Sequence, residues 1–296
     1  MESLSHCPVC NSDTFSEFLL VKDYFLTQEE FTIVECSSCG FKFVNPRPYS
    51  DSLDKYYESP EYISHTTSNG GLLTSIYTTI RKHTHKKKYN LVNKYSKPGN
   101  ILDIGCASGE LLNLFKINNW KSFGVEPSEK ARKFANETFG LDVKPEDELK
   151  KLPTAFFDAI MMWHVLEHVY PLHDRILDLK RLLKPGGTIF IAVPNCNSYD
   201  AKYYGKFWAA YDVPRHFSNF VPSTMKILLE KNGFTIEKIL PMKFDSFYVS
   251  LLSEKYKFKK LKYFHGFYTG LKSNLKARKR ENTYSSLIYV VKNTIS

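Results

Sequence analysis

The run Ile101-Leu-Asp-Ile-Gly-Cys-Ala-Ser-Gly109 constrains this chain more than any other feature: an apolar strand feeds a turn with two glycines, and helix-patterned residues follow at once. A chain that passes from strand through such a turn into helix has begun a strand–helix unit, and the alternation continues downstream. Candidate strands lie at 100–104, 122–126, 142–144, 157–163 and 188–193, with helices at 111–118, 129–138 and 172–183 between them. The third helix closes on Lys184-Pro-Gly-Gly187, expected to be a turn. This spacing means a parallel sheet with helices on both faces. A helix at 222–231 opens on proline and ends before Gly233, and strands at 234–240 and 286–291 complete the sheet.

The turn itself speaks of a ligand, because small residues let backbone approach it and the helix start offers free N–H donors. Gly105 and Gly109 fit neither the dinucleotide-binding nor the phosphate-loop spacing. Asp103 would repel a pyrophosphate but accept an ammonium group. Glu126 closes the second strand, in Phe123-Gly-Val-Glu-Pro127, where an acid can take both ribose hydroxyls. Adenosine joined to an amino acid meets both demands, and that molecule is S-adenosylmethionine. The residues assigned to it are Asp103, Gly105, Cys106, Ala107, Gly109, Glu126 and Pro127, with Trp163 and His164 at the end of the fourth strand.

These motifs resemble those of the class I S-adenosylmethionine-dependent methyltransferases over most of 100–240: Leu102-Asp-Ile-Gly-Cys-Ala-Ser-Gly109 is similar to their first motif, Phe157-Asp158 to the fourth strand and Leu182-Leu-Lys-Pro-Gly-Gly187 to the turn before the fifth. The turn departs from the commoner Gly-Cys-Gly-Thr-Gly, but Ala107 is still small. The resemblance implies an α/β, Rossmann-like seven-stranded sheet of order 3-2-1-4-5-7-6. It implies in addition an acid against adenine after the third strand, for which Asp147 is chosen. A narrower resemblance, carried by Trp163-His-Val-Leu-Glu-His168 and Tyr211-Asp-Val-Pro-Arg-His216, is to bacterial methyltransferases with an N-terminal four-cysteine ribbon, many of which serve glycan or secondary metabolism.

Four of the six cysteines form two C-x-x-C pairs, Cys7 with Cys10 and Cys36 with Cys39. Four thiolates at this spacing close on one structural zinc, which compensates for the small core that so short a segment builds. The division read from the sequence is a zinc-ribbon minidomain at 1–48, a helical connector at 49–97, and a methyltransferase domain at 98–296 carrying a basic, aromatic, mostly helical insert at about 243–285.

Methyl transfer is an in-line displacement in which positioning supplies much of the acceleration, and a hydroxyl acceptor also wants a base nearby. His216 is the first candidate base, in a loop stiffened by Pro214, with Arg215 expected to hold an anionic group of the substrate. His168 is the second. His164, directly after the strand, is assigned to the cofactor.

Charge widens the choice of acceptor. Forty-one Lys and Arg against 31 Asp and Glu give +10, with basic clusters at 81–88 and 255–280, the second interleaved with aromatics. Such a surface suits stacked bases or a membrane, and an ordinary solvated helix face with its aromatics turned inward would carry the same residues. The favoured reading is a methyltransferase acting on a small or glycan-linked, anionic hydroxyl acceptor. Its rivals are an RNA methyltransferase and a non-catalytic zinc-ribbon binding protein. Without a signal peptide or a long apolar run, a cytoplasmic location with at most peripheral membrane contact is expected.

Overall fold

The computed structural model describes residues 1–57 and 72–294, so 58–71 of the expected connector lie outside the described residues. The chain opens with three strands, β1 (Phe15–Lys22), β2 (Glu30–Cys36) and β3 (Lys42–Val44). Helix α1 (Leu72–Tyr95) then leads into β4 (Asn100–Ile104), α2 (Glu110–Lys116), β5 (Lys121–Val125), α3 (Glu129–Phe139), β6 (Asp142–Lys144) and β7 (Phe157–Trp163). There follow α4 (Leu172–Leu182), β8 (Leu183–Pro194), α5 (Tyr199–Tyr204), β9 (Ser218–Asn219), α6 (Pro222–Lys231) and β10 (Phe234–Pro241). A helical pair, α7 (Asp245–Phe258) and α8 (Tyr263–Ala277), precedes β11 (Ser286–Asn293).

Seven strands form one sheet in the order β6-β5-β4-β7-β8-β11-β10, which is the expected 3-2-1-4-5-7-6. The pairs β4·β5, β4·β7 and β5·β6 are parallel. Ala159, Ile160, Met161 and Met162 of β7 are all buried, as are Ile189 to Val193 of β8. Central strands covered on both faces read as unbroken apolar runs, which is why these two stood out in the sequence.

Contacts divide the chain into two units, Met1–Glu58 with His164–Ile176 and Ile191–Val290, and Ser59–Trp163 with Leu177–Phe190 and Val291–Ser296. In the first unit β1, β2 and β3 pair antiparallel, and β9 adds a fourth strand through Lys42↔Asn219 and Phe43↔Ser218. Residues 1–48 and the β9 segment therefore fall in one unit. Tyr56, Trp208 and Tyr211 join Phe31 and Ile33 in one apolar cluster, because a three-stranded ribbon presents a face that it cannot cover alone.

Lys184-Pro-Gly-Gly187, expected as a turn, instead begins the long β8. Within the second unit the Lys184 ammonium bonds Asp158, while that of Lys292 bonds the Gly186 carbonyl at 3.3 Å and the Thr188 hydroxyl at 2.6 Å, and these contacts tie the stretch to its neighbours although Gly186 keeps a left-handed φ of 73°.

Candidate functional site

In the second unit the chain leaves β4 through three left-handed residues, Gly105 (φ 72°), Ala107 (φ 47°) and Gly109 (φ 74°). This conformation costs a residue with a side chain about 1–2 kcal/mol. A hydrogen bond offsets it at Ala107, whose N–H donates to Glu126 Oε2 at 2.9 Å, while the Ser128 N–H donates to Oε1 at 3.0 Å. Each carboxylate oxygen has two acceptor sites, so Glu126 keeps one open on each, the number a vicinal diol requires. Burial raises the pKa of Glu126 against the pull of those two N–H groups.

Gly109 has a different reason to be glycine. A Cβ there would lie 2.7 Å from Leu141 Cδ1 and 2.8 Å from the Ala135 Cβ, so this close approach packs the turn against α3 instead of receiving a ligand. Cys106 is buried as well, while Ala107 and Pro127 are exposed.

Asp103 is buried, and burial pushes its pKa up to about 7 even though Lys88 favours its charge. Ile104 pairs with Met162, and Trp163 follows one step further along β7. The Trp163 indole N–H is buried and meets no acceptor among the described residues, and the Lys88 ammonium stands 4.5 Å from the ring centroid. A buried acid, an acid with two open acceptor sites and an orphaned indole donor fit a ligand that combines an ammonium group with a ribose. Asp147, expected as the adenine-side acid, is exposed, and the charge of its neighbour Glu146 acts on Glu126.

The first unit gathers His164, His168 and His216. His216 is 9% exposed, and its Nδ1 lies 2.8 Å from the Ala210 carbonyl. A carbonyl only accepts, so Nδ1 carries the proton and Nε2 is left as the basic nitrogen. The His168 ring stands 4.4 Å from that of His216 and nearly perpendicular to it, with Tyr57 Oη 3.3 Å from its Nδ1. Burial first, and then the closeness of a second histidine, His216, lower the pKa of His168 to about 4, so it is neutral at physiological pH.

His164 has Nε2 3.0 Å from Asp245 and Nδ1 3.4 Å from Glu167. Burial opposes its charge, but these two acids outweigh burial and hold its pKa up at about 10. Both ring nitrogens face carboxylates, so His164 braces the segment and is not free for the cofactor contact expected of it. Glu167 is 1% exposed, and neither of its oxygens receives a well-directed hydrogen bond from the described residues. Glu167, His168 and His216 offer ligand atoms within 4.8 Å of one another, a set that could hold a divalent cation.

Arg215 departs from expectation. All five of its N–H groups point into the protein, to Asp23, Asp212 and the Tyr56 carbonyl, and the residue is 1% exposed. A guanidinium neutralised by two carboxylates has nothing left for an anionic substrate, so its part is to hold the loop that carries His216.

Cys7, Cys10, Cys36 and Cys39 also converge. Their sulfurs lie within 4.8 Å of one another, with Cys10 and Cys36 3.5 Å apart and Cys7 and Cys39 3.7 Å apart. A tetrahedral zinc with bonds of about 2.3 Å separates its sulfurs by about 3.8 Å, so the cluster fits that metal.

Lys88, Glu146, Glu167, Asp23 and Tyr57 were not singled out by sequence reasoning. Lys88 was submerged in a basic cluster, part of which serves the fold: Arg81 pairs with Glu110 at 3.0 Å. Only Glu167 carried a signal, as the acid between two histidines in Trp163-His-Val-Leu-Glu-His168.

A family model described as a methyltransferase domain matches residues 78–239. The mitochondrial ubiquinone biosynthesis O-methyltransferase of Homo sapiens is 29% identical over 163 residues, 50% of this chain and 44% of that protein. An uncharacterized methyltransferase of Bacillus cytotoxicus is 28% identical over 172 residues, 54% of this chain and 80% of that protein. The chain thus spans less than half of the human relative. A solved S-adenosylmethionine-dependent methyltransferase from Archaeoglobus fulgidus shares the fold, with a TM-score of 0.51 and 23% identity over 72% of this chain and 94% of that one.

Proposed function

This chain belongs to the methyltransferase-domain family, and on that footing we propose that it transfers a methyl group from S-adenosylmethionine to a hydroxyl of a small molecule. The observation that carries the reading is Glu126, fixed by the Ala107 and Ser128 N–H groups with an acceptor site open on each oxygen. Glu126 would hold the ribose and Asp103 the ammonium group. Bound there, the cofactor supplies an electrophilic sulfonium methyl. A hydroxyl acceptor is favoured by the human relative, which is named an O-methyltransferase, and by His216, whose fixed tautomer suits a general base, with His168 beside it. A glycan-linked hydroxyl falls within the same proposal. An anionic acceptor loses its main support once Arg215 is turned inward.

The test is to incubate extract from cells lacking the protein with the enzyme and methyl-labelled cofactor, with and without ribonuclease. Label in a ribonuclease-resistant small-molecule or glycan fraction is expected. Label in RNA would overturn the acceptor class, and no label in any fraction would favour the non-catalytic rival.

Two ligand-binding results are expected. Glu126→Ala should weaken both S-adenosylmethionine and S-adenosylhomocysteine by about 1–3 kcal/mol in calorimetry, as charge-assisted hydrogen bonds are lost. The second concerns pH. Asp103, raised from 3.8 to about 7, keeps a proton in the folded protein that the unfolded chain has already lost, so its contribution to stability is present at low pH and fades as pH rises towards about 7. A cationic ligand favours the ionised carboxyl. Affinity should therefore climb with pH by up to about tenfold per unit and level off above about 7, with the dependence flattened in Asp103→Asn. A pH-independent affinity in the unsubstituted protein would refute the role given to Asp103.

We also assign one structural zinc to the four cysteines. Elemental analysis of metal-replete protein should find one zinc per chain, lost when all four are changed to serine. Chelation should first loosen the sheet of β1, β2 and β3, because the closed thiolate site replaces core that this segment lacks. Metal-free purified protein, or zinc retained by the serine variant, would exclude the site.

A further inference from the structure

The pair α7 and α8 is built with its apolar face outward. Gly266, Thr269, Gly270, Ser273 and Ala277 are the buried residues of α8. Against α7 the helices approach so closely that a Cβ on Gly266 would lie 3.1 Å from the Leu251 Cα, and one on Gly270 2.9 Å from the Phe247 Cα. Only small residues fit that contact. The large apolar ones are displaced to the other side: Phe264, Phe267, Tyr268, Leu271 and Leu275 are all exposed, Phe264 to 95%. At 100° per residue these five form one stripe about 100° wide, the geometry of a helix that covers an apolar surface. Here that stripe faces out, so the reading with inward aromatics fails for α8, although Tyr256 of α7 does stack inward on Tyr24.

Charge surrounds the stripe. Between 245 and 280 stand ten lysines and arginines against two acids, eight of the ten net positive charges of the whole chain. Neither acid offsets them at the surface, since Asp245 is paired with His164 and Glu254 is fully buried against Tyr204 and His265. Five of the lysines, at 255, 257, 259, 260 and 262, cluster where α7 passes into α8, beside Tyr263 and Phe264.

We propose that this hairpin docks on the surface of an anionic lipid bilayer, with the Phe264 to Leu275 stripe lying in the headgroup boundary and the lysines on lipid phosphates. An apolar face rimmed by lysine whose stems reach to the polar layer is the composition of a helix that lies in a membrane interface. Each basic group there adds attraction to anionic lipid. The aliphatic members decide against a nucleic acid, because Leu261, Leu271 and Leu275 have no ring face on which a base stacks, yet all three are exposed. A second copy of the chain would bring two such +8 surfaces together. The proposed mode is contact with one face of the bilayer; no described helix is long and apolar enough to cross a membrane. The inference does not depend on the methyl-transfer reading.

The experiment is flotation of the full chain with vesicles of phosphatidylcholine alone and with about a third phosphatidylglycerol, at low and high salt, beside binding to a single-stranded RNA homopolymer and light scattering without lipid. Binding to the anionic vesicles alone, weakened by salt, is expected. Lys259→Glu with Lys260→Glu should weaken it at least tenfold, each lost lysine removing about fivefold. Phe264→Ser with Leu271→Ser, both at exposed positions, should weaken it comparably, with unchanged circular dichroism excluding misfolding. Vesicle binding that is absent, indifferent to lipid charge, or intact in both variants would overturn the proposal. So would RNA binding or self-association that responds to the same substitutions in place of vesicle binding.

Discussion

Arg215→Leu is expected to destabilise the protein by about 3–5 kcal/mol, the cost of removing one partner from a buried ion pair. Asp23 would be left with a fully buried carboxylate, still bonded to the N–H groups of Phe25, Leu26 and Thr27 but without its counter-ion. Asp212 would lose both of its bonds from the guanidinium. Burial tends to raise the pKa of each acid, and Arg215 outweighs burial and holds both below the usual carboxylate range. Folded-state values below the unfolded ones mean that this stability is present above about pH 4 and is lost as pH falls further. The gap between the two proteins in urea denaturation should accordingly be widest near neutral pH and narrow towards pH 3. A loss under about 1 kcal/mol at pH 7 would show that the network does not hold the loop.

His216→Ala should lower turnover about 100- to 10,000-fold, the usual contribution of a general base, while S-adenosylmethionine affinity stays within about twofold. The split follows from position, because His216 lies in the loop braced by Arg215, whereas the residues assigned to the cofactor's ribose and ammonium group are Glu126 and Asp103. Glu126→Ala should show the reverse pattern. His168→Ala removes a neutral ring packed against His216 and should cost less. Unchanged turnover in both histidine variants would leave positioning alone as the source of acceleration.

The legible parts of the fold were those written in local order. Strands at Asn100–Ile104 and Phe157–Trp163 and the helix at Pro222–Lys231 stand where the pattern of apolar residues, proline and glycine put them. Lys184-Pro-Gly-Gly187 misled for the opposite reason. Its residues are turn-formers by local propensity, and Gly186 does keep a left-handed φ of 73°, but the segment is drawn into β8 beside contacts to Asp158 and Lys292. At the candidate site, Asp103, Glu126 and the four cysteines could be found because strand ends and C-x-x-C spacing locate them, while Lys88 carries no mark that separates it from Lys86 or Lys87.

By itself the sequence determined most strands and helices of the seven-stranded sheet, that four thiolates can meet, and, through its resemblance to a known family, the order of that sheet. Tertiary structure alone decided which side chains are used up and which are left open. Arg215 reads as an exposed anion-binder until Asp23, 192 positions earlier, is folded against it. The stripe on α8 reads as core until Gly266 and Gly270 let α7 approach and force the aromatics outward. Periodicity gives a helix two faces, but which of them is covered depends on how near its neighbour can come, and that distance is set by contacts between residues far apart in the chain.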